Sequence, residues 1–392
     1  MIGAGSITFS LELLMDLWLE PGLRGSSVRL MDIDEKRLQT LQRLVRRYRK
    51  EYEIDLDISY TRDRREALQD ADYVICAVKV GGYGPLEKER KIAEEFGYYR
   101  GIGDRVSCYY GGVGAFHQLD FFLSLARDME EVCPGALLIQ TANPVFEGTT
   151  LVSRKTAVRT VGVCHGHYGY RELCRVLGVP PEEVTYTIAG VNHCVWLTHF
   201  SHKGSDLYPR LDDWIANEAE RFWRSEEFQK PGVAHQYEQV SPAAVEMYRY
   251  YGVFPIGERA VLREELPVKK SGEQHIAIID ALENDKECLL ELNVENDGLI
   301  DGIGDDVIVE IPALVSSKGI QGLRIGRLPG KLMHHVVNPR INRMEQVLHA
   351  YLQRDRNSLL LSLMEDNRSS NLDNASALLE QPWNESARQH YR

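Results

Sequence analysis

Two short runs in this chain carry side chains able to bind a metal. Val163-Cys164-His165-Gly166-His167-Tyr168 follows a strand-like segment, and Gly190-Val191-Asn192-His193-Cys194-Val195-Trp196 ends another. Cys164 and His193, 29 residues apart at the ends of two predicted strands, could share one divalent ion. Thiolate with imidazole suits a transition metal better than calcium or magnesium. Two protein ligands would leave positions open to water or substrate hydroxyls, as a catalytic site requires. Spacing alone leaves alternatives open. Cysteine is among the most buried residue types and a lone histidine is commonly a core or surface residue. His167 and Cys194 are as well placed as their neighbours.

A second chemistry is written at the start. Gly3-x-Gly5-x-x-Thr8 followed by Asp32 is a variant of the dinucleotide fingerprint. Gly3 permits the tight turn and Gly5 lets the backbone approach a pyrophosphate. The helix beginning near Ser6 turns free N–H groups toward the phosphates. Asp32 lies 27 residues after Gly5, near the usual spacing of about 20 for the acid that binds a ribose diol. An acid there favours NAD over NADP, because it repels a 2′-phosphate. Thr8 replaces the third glycine, and only Met1-Ile2 precede the loop where a full strand is expected. Thr141-Ala142-Asn143-Pro144 ends a further strand, and ligands in open α/β sheets bind at such carboxyl ends. Asn143 either initiates a turn or hydrogen-bonds a sugar hydroxyl or the nicotinamide ribose.

These residues need a scaffold, and the first half of the chain supplies alternating strands and helices. Strands are predicted at 28–32, 72–78, 136–142 and 160–164, and helices at 35–52 and 116–131. That alternation means a parallel sheet covered on both faces. The second half reads as a mixed α/β body: strand-like 185–197, helix 241–251, strands 288–294 and 307–313, and helices 338–354 and 358–365. The boundary falls near 165, giving a nucleotide-binding domain 1–165 and a substrate and metal domain 166–392. At 392 residues with 43% apolar and 27% charged residues, the composition is that of a soluble globular protein. A net charge of −12 argues against nucleic-acid binding. No apolar run reaches the roughly 20 residues of a membrane span, and the start does not read as a signal peptide. Seven scattered cysteines without a CxxC pair read as reduced thiols of a cytoplasmic protein.

Further stretches complete a pattern. Gly-Ala-Gly-Ser at 3–6, Leu-Met-Asp-Ile-Asp at 30–34, Tyr-Tyr-Arg-Gly-Ile at 98–102 and Ala-Asn-Pro-Val-Phe-Glu-Gly-Thr-Thr at 142–150 are followed by Cys-His-Gly-His-Tyr-Gly at 164–169 and Gly-Val-Asn-His at 190–193. Met-Tyr-Arg-Tyr-Tyr-Gly-Val-Phe-Pro-Ile-Gly-Glu at 247–258 and Ser-Gly-Glu-Gln-His-Ile at 271–276 close the series. In this order they resemble glycoside hydrolase family 4, the NAD-dependent glycosidases that stand outside the two-carboxylate mechanism. The resemblance is strongest to its α-glucosidase branch, which acts on unphosphorylated sugars.

The resemblance implies a fold like lactate and malate dehydrogenases, with NAD on the first domain and a manganese-type ion between the two. It places the metal ligands on Cys164 and His193 and a substrate contact on Asn143; Asn192 and Lys79 are further candidate substrate contacts. The base of the α-glucosidase branch, an aspartate, falls on Glu258, one methylene longer. His165 is the candidate acid, with His167 behind it. The implied reaction oxidises the sugar at C3, removes the C2 proton, eliminates the aglycone, adds water and returns the hydride. Lys79 stands where a neutral residue is expected and hints at a uronic acid, so an α-glucuronidase or α-galacturonidase is the alternative. Only a dozen residues separate Glu258 from Ser271, a segment longer in α-glucosidases. A small carbohydrate as substrate and a homodimer or homotetramer follow from the same resemblance. Two rivals come from other classes. A lactate- or malate-type dehydrogenase would carry an arginine clamp and an Asp–His pair, and a non-catalytic sensor would bind NAD without releasing an aglycone.

Overall fold

The computed structural model describes residues 1–51, 56–82, 91–98, 116–229, 240–256, 270–365 and 371–381. Twelve strands run through these residues: β1 Ser27–Met31, β2 Asp57–Thr61, β3 Tyr73–Cys76, β4 Leu137–Gln140, β5 Arg159–Gly162, β6 Val184–Val191, β7 Cys194–His202, β8 Ser205–Asp206, β9 Phe254–Ile256, β10 Cys288–Glu295, β11 Ile308–Ser316 and β12 Gly319–Gly322. β2 pairs β1, and β3, β4 and β5 pair one another, all in parallel. Ile2 bridges Met31 of β1 and Cys76 of β3, so the first two residues occupy the centre of the parallel sheet. This is the doubly wound order expected of a nucleotide-binding half. Ile2 stands at the position of the expected first strand.

Alternation along the strands explains the two covered faces. Val74, Cys76 and Leu138 enter one buried cluster with Phe116, Phe122 and Phe146, while Ile75, Leu137, Ile139 and Val161 enter another with Leu13 and Ile278. Strands buried on both faces must be apolar at nearly every position, as Leu137-Leu138-Ile139 is. Helix Ile7–Trp18 follows the glycine turn and buries Leu11, Leu13, Leu14 and Leu17 against the sheet.

Past β5 the sheet changes character. β10 and β11 are antiparallel, and β11 meets β6, which forms a long antiparallel hairpin with β7. The run 185–197, read as one strand, is therefore two, turned at Asn192-His193 between the paired residues Val191 and Cys194. The reason is local. His193 takes φ 60° while Asn192 does not take positive φ, the pattern of a type II turn, whose second central residue is left-handed. Gly190 has φ 150°, and a Cβ on it would lie 2.2 Å from the Cys194 carbonyl oxygen. A separate core of Ile188, Val195, Leu197, Phe200, Trp214 and Phe254 seats this hairpin. β2 and β12 also lay outside the sequence expectations.

Candidate active site

The parallel strands set the site's geometry. Because Ile2, β3, β4 and β5 run the same way, the glycine turn, Lys79, Asn143 and Cys164 all follow carboxyl ends on one edge of the sheet. The glycine turn is tight against its neighbours. A Cβ on Gly3, which has φ 95°, would lie 2.8 Å from the Ala77 carbonyl carbon, and one on Gly5 would lie 2.5 Å from Asp32 Oδ2. The Gly5 N–H donates to Asp32 Oδ2 at 2.7 Å and the Asp34 N–H to Asp32 Oδ1 at 2.9 Å. Asp32 is thereby held at the end of β1, beside the turn. Ser6 caps helix Ile7–Trp18 without a side-chain hydrogen bond and is exposed. The helix thus begins beside an exposed residue.

Two buried glutamines fix the neighbouring loops. Gln118 donates to the Val78 carbonyl at 2.7 Å and accepts from the Val80 N–H at 3.0 Å, clamping Lys79 from both sides. Gln140 donates to the Ala142 carbonyl at 3.1 Å. Asn143, at the following cis peptide with Pro144, buries its Oδ1 with no hydrogen-bond partner among the described residues. A buried amide oxygen without a partner costs free energy, which a ligand's hydroxyl would relieve.

The Cys164 loop has three supports. His167 donates Nδ1–H to the Cys164 carbonyl at 2.9 Å, and Gln274 donates to its other ring nitrogen at 3.2 Å. This network assigns the neutral tautomer. Burial, and then the charge of His165, pushes His167 down to about 3. The Gly166 N–H donates to Cys164 Sγ at 3.5 Å, a contact that favours the thiolate. His165 is different: its side chain is 43% exposed and its Nε2 meets Glu273 Oε1. Burial alone would raise Glu273, but the hydrogen bond and charge of His165 outweigh it and hold the carboxyl below its ordinary range.

Glu273 stands in a short segment stitched to both halves. Ser271 donates to Asp16 through both N–H and Oγ, and the Glu273 N–H donates to Ser271 Oγ at 2.9 Å. Tyr168 donates its hydroxyl to the Gly272 carbonyl. The helix that starts at the glycine turn therefore reaches His165 through Asp16, Ser271 and Glu273.

The hairpin tip approaches from the other body. β9 pairs β7 at Val195–Leu197 and packs on the 3₁₀ turn Gly166–Gly169 that follows Cys164. Arg340 pairs with buried Glu147 at 2.7 Å, just beyond Asn143-Pro144, and its charge also reaches Cys194 beside His193. Asn192 is 2% exposed and donates Nδ2–H to Glu310 Oε2 at 2.8 Å. Among the described residues no three histidine, cysteine or carboxylate side chains converge as a metal cluster. Glu258 lies outside the described residues, two positions beyond the end of β9.

The family models agree with this architecture. One described as Family 4 glycosyl hydrolase matches residues 1–179, and one described as Family 4 glycosyl hydrolase C-terminal domain matches 188–265 and 257–369. The chain belongs to glycosyl hydrolase family 4. This family 4 enzyme is 29% identical to an α-galactosidase of Bacillus subtilis strain 168, over 94% of this chain and 92% of that one. It is 22% identical to an α-galacturonidase of Thermoanaerobacter italicus (93% and 90% covered) and 24% identical to an α-glucosidase of Erwinia rhapontici (84% and 85%). A 6-phospho-α-glucosidase from gut microorganisms, solved with NAD and Mn2+, shares the fold at TM-score 0.81 and 18% identity, covering 99% and 97% of the chains. A lactate dehydrogenase from Eimeria maxima reaches TM-score 0.57 at 15% identity, covering 90% and 94%. The expected dehydrogenase-like fold is thus present, in a glycosidase.

Glu273, Gln274, Gln118 and Glu310 had no role in the sequence reading of this family 4 enzyme. Their signal was faint. Ser271-Gly272-Glu273-Gln274-His275 was visible as a motif, but the histidines that Glu273 and Gln274 meet at 165 and 167 lie more than a hundred residues away.

Proposed function

We propose that this enzyme hydrolyses terminal, unphosphorylated α-linked hexosides, galactosides foremost, using NAD and a divalent ion of the manganese type. The observation that carries the reading is the shared sheet edge, where the glycine turn, Asn143 and Cys164 follow neighbouring parallel strands. The α-galactosidase relative supports the choice of sugar.

The residues present fit both groups. The glycine turn excludes any side chain and ends on an exposed helix start, as a pyrophosphate requires. Asp32 is ready to exchange its Gly5 contact for a ribose diol. Cys164 Sγ already accepts one N–H, and His193 sits on a left-handed turn at a hairpin tip with its Nε2 buried. Bound together, the cofactor supplies a reversible hydride acceptor and the ion supplies Lewis acidity at the sugar hydroxyls.

The chain's own residues do the rest. Cys164 and His193 hold the ion, and Asn143 offers its unpartnered oxygen to a sugar hydroxyl. His165, oriented by Glu273, gives a proton to the departing aglycone oxygen. Glu258 takes the C2 proton. His167 stays neutral and fixes the Cys164 carbonyl. Lys79, half-buried and clamped by Gln118, favours a second reading in which the sugar carries a carboxylate; the α-galacturonidase relatives point the same way. A homo-oligomeric assembly accompanies either reading.

Aryl α-galactoside, α-glucoside and α-galacturonide, each supplied with NAD, Mn2+ and a thiol reductant, test the proposal. Fastest release from the galactoside supports the first reading and from the uronide the second. No release from any of them, with NAD and metal bound, would remove both.

A further inference from the structure

We propose that Glu310 and Asn192 form a buried anchor that sets the position of His193, so that Asn192 acts through the metal site and not by touching substrate. The inference rests on the reading of His193 as a metal ligand.

A two-residue hairpin turn is a poor platform for a ligand unless something holds it, since turn tips are the most mobile part of a hairpin. Here the residue preceding His193 points inward. Asn192 is 2% exposed, and its Nδ2–H donates to Glu310 Oε2 at 2.8 Å. Glu310 is itself fully buried on β11, the strand next to β6, and pairs in register with Gly190, two residues before Asn192. A hydrogen bond to a buried carboxylate is stronger than one between neutral groups. The neighbouring Glu291 is pushed up to about 8 by burial first and then by the charge of Glu310.

The anchor also lies on a continuous row. Gly162 pairs Asn293, Asn293 pairs Glu310 and Glu310 pairs Gly190 across β5, β10, β11 and β6. Gly162 is two residues before Cys164. A Cβ on Gly162 would lie 2.7 Å from Asn293 Cβ, so the row is packed to contact at its Cys164 end. The strand that ends in the cysteine and the strand that ends in the histidine turn are therefore tied to one another through Asn293 and Glu310. Groups beyond the ligands that orient them typically change metal affinity by about 10–100-fold when removed.

The test measures Mn2+ affinity, from the electron paramagnetic signal of free Mn2+, beside NAD affinity and thermal melting for each purified variant. Asn192→Ala weakens Mn2+ binding about 10–100-fold and leaves NAD binding within about twofold. Glu310→Gln keeps shape and an acceptor oxygen, and weakens Mn2+ binding less. The double variant is no weaker than Asn192→Ala, because both changes act through one contact that Asn192→Ala alone already removes. If Asn192→Ala fails to fold, Asn192→Ser and Glu310→Gln carry the same comparison. Mn2+ affinities equal to the wild type in the folded variants overturn the anchor, as does strict additivity in the double variant. His193→Ala separates the two levels. Loss of metal there with full retention in the Asn192 and Glu310 variants defeats the anchor alone, whereas full retention in His193→Ala defeats the ligand reading and the anchor with it.

Discussion

His165 and His167 stand two residues apart and become different reagents through what surrounds them. His167 is 3% exposed, locked between the Cys164 carbonyl and Gln274, and held at about 3 by burial. At neutral pH it is a neutral imidazole whose one N–H is committed to the Cys164 carbonyl. His165 opens to solvent and leans on Glu273. Replacing His165 by Ala is expected to slow turnover about 10²–10⁴-fold, the usual range for a lost general acid. The loss should be largest for poor leaving groups and much smaller for a nitrophenyl glycoside, which departs without a proton. Comparing kcat on the two aglycones checks this, and an equal loss on both would move the acid elsewhere. Glu273→Gln should lower kcat about tenfold with KM little changed, since outer-shell orientation is lost and contacts to substrate are not. A rise in KM alone would contradict it. The family resemblance put His165 ahead of His167, but the sequence held no physical reason for that order. Their difference is set by Glu273 and Gln274, more than a hundred residues away.

At the level of elements, the β6–β7 hairpin is the part whose geometry has least slack. Gly190→Ala would drive a Cβ to 2.2 Å from the Cys194 carbonyl oxygen, at a φ of 150° that L-residues rarely adopt. We expect about 2–4 kcal/mol of destabilisation, read as a lower melting temperature, together with weakened metal binding. An unchanged melting curve would mean that the turn can relax at no cost. Gly5→Ala, with its Cβ 2.5 Å from Asp32 Oδ2, should instead weaken dinucleotide binding, measurable by the fluorescence of bound NADH. The alternating elements of the first half were legible because apolar runs such as Leu137-Leu138-Ile139 stand between long amphipathic helices. The hairpin was not. Residues 185–197 are β-favouring on both sides of Asn192-His193, and nothing local marks a reversal except Gly190 and Asn192 themselves. β2 was readable and was missed: Asp57–Thr61 alternates polar and apolar residues, the pattern of a half-buried strand.

Across the whole molecule, the row of polar groups inside the sheet ties stability to pH. Glu291 is 7% exposed, and burial followed by the charge of Glu310 pushes its carboxyl up to about 8. In the unfolded chain it titrates near 4.3. Between those values the folded protein holds the extra proton, so stability contributed by this group falls as pH rises from about 4.5 toward 8. The slope has an upper limit of about 1.4 kcal/mol per pH unit. Glu291→Gln should flatten it, and melting temperatures from pH 5 to 8.5 would show the two proteins converging at the acid end. Parallel curves would remove Glu291 from the account. The family motifs, spread in order along the chain, made the whole-molecule reading accessible early. The antiparallel strands that carry this polar row were visible only as isolated segments, because their pairing is long-range. What the account stakes most on is the route by which the sugar bond breaks. Hydrolysis in D2O, followed by NMR or mass analysis of the released sugar, tests it directly: the account predicts one deuterium at C2, and a product with its original C2 hydrogen intact would contradict it.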